Sequence, residues 1–243
     1  MTRLSLTGEK YIEAEIGQRS IRRPDSWYDT QLVTAKGEKI LEAIDTVGIE
    51  LLRQHQLIWS AWDGQEFGDG NSALEGARMV SFRRPEELQL FFLSLAWRAA
   101  ASNLKAFRTV QLEESVLEDL RTRVLKMKAG AFHDYPVILF QLVTKGASHN
   151  RTPLLEDKEW PLANGTSVER IPYIRFYFDG LVAHIQTPNG VESNPDMLRV
   201  FTLGGGDPTG VVIHPFEKSR TLGNLETLVR LSHPPHDGTA TSS

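Results

Sequence analysis

The chain has 243 residues, of which 40% are hydrophobic and 24% charged, with a formal net charge of −4 and no cysteine. These proportions exclude a largely disordered chain, and the acidic balance excludes a domain built chiefly to neutralise phosphates. Without cysteine there can be no disulfide, thiolate zinc site or cysteine nucleophile, and with no apolar run of about 18 residues and no apolar leader the reading is a soluble, cytoplasmic protein.

The first informative stretch is RRPDSWYDTQLVTAKGEKIL, residues 22–41. Arginines, aspartates, a tryptophan and a tyrosine precede a Thr-Ala-Lys-Gly turn that opens a helix, whose predicted buried stripe is Ile40, Ile44, Val47 and Leu51, spaced four, three and four. Gly48 weakens that helix locally. Residues 61–76 hold four glycines and read as a loop.

RRPEELQLFFLSLAWRAAASNLKAF follows, with Pro85 suited to the first helical position and Glu86 and Glu87 at the positive end of the dipole. Apolar residues surround it almost completely, which predicts a helix buried on most sides. EESVLEDLRTRVLKMK predicts a surface helix packed on it through Val116, Leu117, Leu120 and Val124.

From Pro136 the pattern turns to strands. PVILFQLVTKG is one, and YIRFYF-DG-LVAHIQT predicts a hairpin through Asp179-Gly180. TPLLEDKEWP reads as a loop. LRVFTL and GVVIHPF, joined by GGGDPT, predict a second hairpin, and LGNLETLVRLS a closing helix. The expected fold is therefore α+β, an N-terminal helical half packed on a mostly antiparallel β-sheet spanning about 136 to 216. Its expected organisation is a unit over 1–60, a main domain over 77–231 and a frayed tail over 232–243.

Candidate chemistry is sparse. The glycines at 204–206 lack a following helix and lysine, so a turn explains them better than a phosphate loop. Of the seven histidines, His184 and His214 lie in apolar strand runs and suit packing roles. His233, His236 and Asp237 could hold a divalent metal only if the tail were ordered. Asp134, Glu156 and Lys158 loosely echo the acid…acid-x-lysine set with which many nucleases hold Mg²⁺, although in such enzymes the acid-x-lysine pair lies on a strand. Arg98 falls inside the apolar helix and must meet an anion or, by preference, an ion-pair partner. Arg19, Arg22, Arg23, Trp27 and Tyr28 combine charge with flat rings and suggest a partner-binding face, against the alternative that Asp25 and Asp29 neutralise the arginines.

YDTQLVTAKGEKILEAID resembles a segment of uncharacterised bacterial proteins that begin with an HNH-like or zinc-ribbon-like module, in which a Cys-x-x-Cys-Glu knuckle leads into a helix. Thr34 and Gly37 stand where the cysteines would be, and Glu38 matches the acid. LFFLSLAWRAAAS and YIRFYFDGLVAHI are similar to helix and strand segments of the same proteins. The resemblance implies a metal-free remnant of the module, held by Trp27, Tyr28 and the Ile40 face, in a setting of phage–host conflict. The favoured reading is a non-enzymatic binding protein with no cofactor or metal and a protein partner. Nucleic acid remains open through a local basic patch. The alternative is a metal-dependent nuclease using Asp134, Glu156 and Lys158.

Overall fold

The structure is a computed structural model that describes residues 2–6, 10–14, 21–23, 29, 31–64, 67, 76–147, 149–161, 168–188 and 199–232. Among the described residues nine strands form one sheet: β1 (Thr2–Leu6), β2 (Lys10–Ala14), β3 (Ile21–Arg23), β4 (Gly76–Val80), β5 (Val137–Leu142), β6 (His149–Pro161), β7 (Val168–Phe178), β8 (Leu181–Gln186) and β9 (Thr209–His214). Their order is β3-β2-β1-β6-β7-β8-β5-β9-β4, and of the paired strands only β5 and β9 run parallel. Among the described residues four α-helices accompany them: α1 (Ala35–Gln54), α2 (Pro85–Ala101), α3 (Glu114–Lys126) and α4 (Arg220–Ser232). The expected α+β class is the one found, with α1–α3 covering one face of a mostly antiparallel sheet.

Helix α1 begins where the Thr-Ala-Lys-Gly turn predicts. Thr34 is its N-cap, and its hydroxyl accepts the Gly37 N–H at 3.3 Å. Ordinary capping by these two residues accounts for the start of the helix. The buried stripe is Leu41, Ile44, Gly48, Leu51 and Leu52, rotated from the expected one so that Ile40 and Val47 are only partly buried. Gly48 causes the rotation. A Cβ built on it would lie 2.2 Å from Cγ of Phe91, so the missing side chain lets α2 approach.

Helix α2 starts with Pro85 at its first position and buries ten of its residues, Phe92 and Leu93 completely. Gln89, buried with them, donates through Nε2 to the carbonyls of Tyr135 (3.2 Å) and Phe132 (3.4 Å), which satisfies its amide inside the core. Against this layer the sheet presents Val137 and Leu139 of β5, Ile174 and Phe176 of β7, and Leu181, Ala183 and Ile185 of β8.

The opposite face is also covered. A second cluster joins Trp59 and Trp62 to Leu142, Tyr177, Val182, Phe216 and Leu225 of α4. Asp179 and Gly180 make the predicted hairpin turn with φ of 49° and 79°, the two positive values such a tight turn demands. Gly180 is also the point over which Trp59 lies, and Trp59 Nε1 donates to the Leu142 carbonyl at 2.8 Å.

Several expectations change. Residues 152–161, read as a loop, belong to β6, which pairs with β7 along most of its length. LRVFTL does not form a hairpin with β9: it contributes an isolated bridge between Thr202 and Ile138, while β9 inserts between β5 and β4 and bonds on both edges. That placement pairs more backbone and buries Val211 fully. Strands β1–β3 and β4 extend the sheet on both sides of the expected break between 60 and 77. The tail from 233 onward, with its two histidines and Asp237, lies outside the described residues.

Two outcomes follow for stability. Phe92→Ala empties a fully buried ring site and is expected to cost about 3–5 kcal/mol in urea denaturation. Gly48→Ala raises helix propensity by about 1 kcal/mol in the abstract, but the overpacking against Phe91 costs about 1–3 kcal/mol, so the variant is expected to be less stable than the parent. A more stable Gly48→Ala protein would show that the two helices are not in this contact.

Candidate functional site

A cleft of about 610 Å³ opens between α1 and α2, a volume within the range that binds small ligands or anchoring side chains. Its floor is apolar: Leu41 from α1, Leu95 and Ala99 from α2, Phe176 from β7, and Phe107 from the turn after α2. Its rim is acidic. Glu38, Glu42 and Asp45 occur at intervals of four and three, so α1 sets all three along one side of itself, and Asp29 faces the cleft from the preceding segment.

Arg98 is the one basic residue lining this cleft among the described residues. It forms a two-pronged pair with Asp45, Nη2 to Oδ1 at 2.6 Å and Nη1 to Oδ2 at 2.9 Å, while Nε donates to the Ser94 carbonyl at 3.2 Å. The ion-pair reading of Arg98 therefore holds, with the partner on the neighbouring helix. This pair cancels the Asp45 charge; the other acids lining the cleft are Asp29, Glu38 and Glu42.

Among the described residues Asp29 bonds to the end of α2 and to its own segment; whether it meets Arg19, Arg22 or Arg23 lies outside the described side chains. Its Oδ2 accepts from the Ser102 hydroxyl at 2.8 Å and from the Asn103 N–H at 3.3 Å, and its Oδ1 from the Gln31 N–H at 3.1 Å. The hydrogen bond from Ser102, followed by that from Gln31, holds its carboxyl below the ordinary range, so it is ionised at neutral pH. The carboxylate thereby fastens the chain leading into α1 to the C-terminus of α2.

The remaining candidates scatter. Backbone at Arg22 and Arg23 lies in β3, opposite Ile12 and Tyr11 of β2; their side chains, and Arg19, Trp27 and Tyr28 entirely, lie outside the described residues. Glu156 and Lys158 stand on strand β6, the placement that acid-x-lysine chemistry uses, but Asp134 is elsewhere. Its Oδ2 receives Arg123 Nη1 at 2.9 Å and the Ala131 N–H at 3.1 Å on the side of the sheet covered by α3. Glu156 faces the other side, where it accepts from the Tyr173 hydroxyl at 2.8 Å and from both Arg220 nitrogens at 3.0 and 3.3 Å. Strands β7 and β8 separate the two acids, roughly 14 Å across three strand spacings. The Lys158 side chain lies outside the described residues, and among those residues no three His, Asp or Glu side chains gather to hold a metal.

His184 is stacked between Phe140 and Tyr173, with centroids 4.5 and 4.3 Å away, and His214 bonds the Lys218 carbonyl at 2.8 Å, in keeping with packing roles. The acidic rim is masked in the sequence by the stronger apolar stripe of α1. The available signal was the spacing of Glu38, Glu42 and Asp45. No family model, curated protein or solved structure matches the chain, so geometry alone bears on its function.

Replacing Asp45 by Asn removes the charged partner of a guanidinium whose side chain is only 24% exposed. The expected cost is about 1–2 kcal/mol by urea denaturation, most of which disappears when Arg98→Met is made in the same chain. Equal losses in the two backgrounds would mean that the pair contributes nothing.

Proposed function

We propose that the protein is a non-enzymatic binding protein and that the cleft between α1 and α2 receives a partner protein through a lysine or arginine beside an apolar side chain. The observation that carries this reading is the division of the cleft into an apolar floor and an acidic rim whose one cation among the described residues, Arg98, is paired with Asp45. Leu41, Leu95, Ala99 and Phe176 would take the apolar group out of water, and Asp29, Glu38 and Glu42 would hold the cation at the mouth.

A nuclease using Asp134, Glu156 and Lys158 needs its acids to share a metal, whereas Asp134 and Glu156 lie on opposite sides of the sheet with other partners. That separation favours the binding reading.

The test uses an array of short synthetic peptides with Lys or Arg next to Leu or Phe, read by fluorescence anisotropy. Selected peptides are expected to bind the parent protein, to weaken with added salt, and to lose about tenfold or more in affinity to the Glu38→Lys, Glu42→Lys double variant. The melting temperature of that variant should stay within a few degrees, since both residues are exposed. Affinity unchanged in the double variant removes the cleft as the site. If Arg22→Glu with Arg23→Glu abolishes the same binding instead, the N-terminal arginines form the partner face.

A further inference from the structure

On the far side of the sheet from the cleft, strands β6 and β7 bring arginines together. Arg151 lies opposite Tyr177, and Glu156 opposite Tyr173, with Arg175 opposite Leu154 between them. Regular alternation would send Arg151 and Leu154 to different faces, because three residues separate them. The ladder instead shifts register between the two, so that β6 carries one extra residue there. The bulge rephases the strand and turns Arg151 to the face that carries Arg175 and Glu156. Helix α4 completes the group from above: Arg220 grips Glu156, and Thr221 Oγ1 accepts from Arg175 Nη2 at 3.1 Å.

Among the described residues the charges do not balance. Three guanidiniums meet one carboxylate, and Glu156 is the only acid among the described residues whose charge acts on both Arg151 and Arg175. Arg175 is buried to 7% exposure, Glu156 to 17%, and Nη1 of Arg151 is buried without a hydrogen-bond partner. Burial, then repulsion from Arg175, holds the Arg151 pKa below its ordinary value, so the group is short of negative charge where it stands. A buried donor on a charged group normally has an acceptor, and an excess of two positive charges matches a dianion. Arginine nitrogens arranged in forks suit tetrahedral oxyanions, which accept several hydrogen bonds at once. The hydroxyls of Tyr173 and Thr221 lie in the same group as further polar contacts.

We propose that Arg151, Arg175 and Arg220, with Thr221 at the start of α4, form a binding site for a phosphoryl group, supplied as inorganic phosphate or as a phosphate monoester. Arg151 Nη1 gives the ligand its buried donor. Arg220, whose side chain is 65% exposed, forms the movable side of the site and divides its hydrogen bonds between Glu156 and the ligand. This site is independent of the cleft, since the sheet lies between them.

Isothermal titration of the full chain with inorganic phosphate and with phenyl phosphate, in chloride buffer at constant ionic strength, tests the assignment. Saturable binding of at least one is expected; preference for phenyl phosphate identifies a monoester site, and preference for inorganic phosphate a site for the free ion. Arg151→Met and Arg220→Ala should each weaken binding by about tenfold or more, while Arg121→Met, on the exposed face of α3, should leave it unchanged. Should Arg151→Met fail to fold, Arg220→Ala decides, because its exposed side chain is not part of the core. No saturable heat from either ligand at millimolar concentration, or undiminished binding in Arg220→Ala, overturns the site.

Discussion

Everything in the helical layer depends on how closely α1 and α2 approach at Gly48 and Phe91. The ring occupies the volume a Cβ would need, so the pair can meet in only one register. From that point contacts climb α2 as they descend α1: Arg84 reaches Glu50, Arg98 reaches Asp45, and Ser102 reaches Asp29 ahead of α1. The helices therefore run in opposite senses. With Phe91 turned toward α1, its neighbour Phe92 and the surrounding leucines are left for the rest of the core. The cleft is the consequence at the other end of the contact, where Arg98 and Asp45 close the wall and the two helices no longer meet.

The sheet keeps unlike chemistry apart. Its helix-covered side carries the large apolar core and the acidic cleft, and its other side carries the tryptophan cluster and the three arginines. Alternation along a strand makes such a division natural, because neighbouring residues leave on opposite faces. Ile174 enters the core while Arg175 beside it faces α4. The bulge in β6 is the local departure from alternation that adds Arg151 to the group. The two candidate sites share no residue and stand on opposite faces of the sheet, which makes them separable by mutation.

Much of the architecture was legible in the chain itself. The Thr34 cap, Pro85 at the start of α2, the stripe of α3 and the Asp179-Gly180 turn are local signals, each set by a few adjacent residues, and each stands where those residues place it. What escaped was non-local. LEDKEW has poor intrinsic strand preference, yet it forms β6 because β7 supplies a partner along its length. GVVIH was read beside the segment nearest in sequence, but the open edges of β4 and β5 offered two ladders instead of one.

The functional candidates divide in the same way. Arg98 could be assigned an anionic partner from sequence because a charge inside an apolar helix has few tolerable fates, and only the packing of α1 on α2 selected Asp45. Glu156 carried a recognisable spacing to Lys158, but the sheet order separated it from Asp134 and gave it to Arg220. Arg151, Arg175 and Arg220 carry no shared pattern, since they come from two strands and a distant helix. The sequence by itself determined the helices, the tight turn and the class of fold, through capping, periodicity and backbone preference acting over a few residues. Only the tertiary structure decided which charges meet, because strand pairing and a one-residue bulge, rather than distance along the chain, choose the neighbours of a side chain.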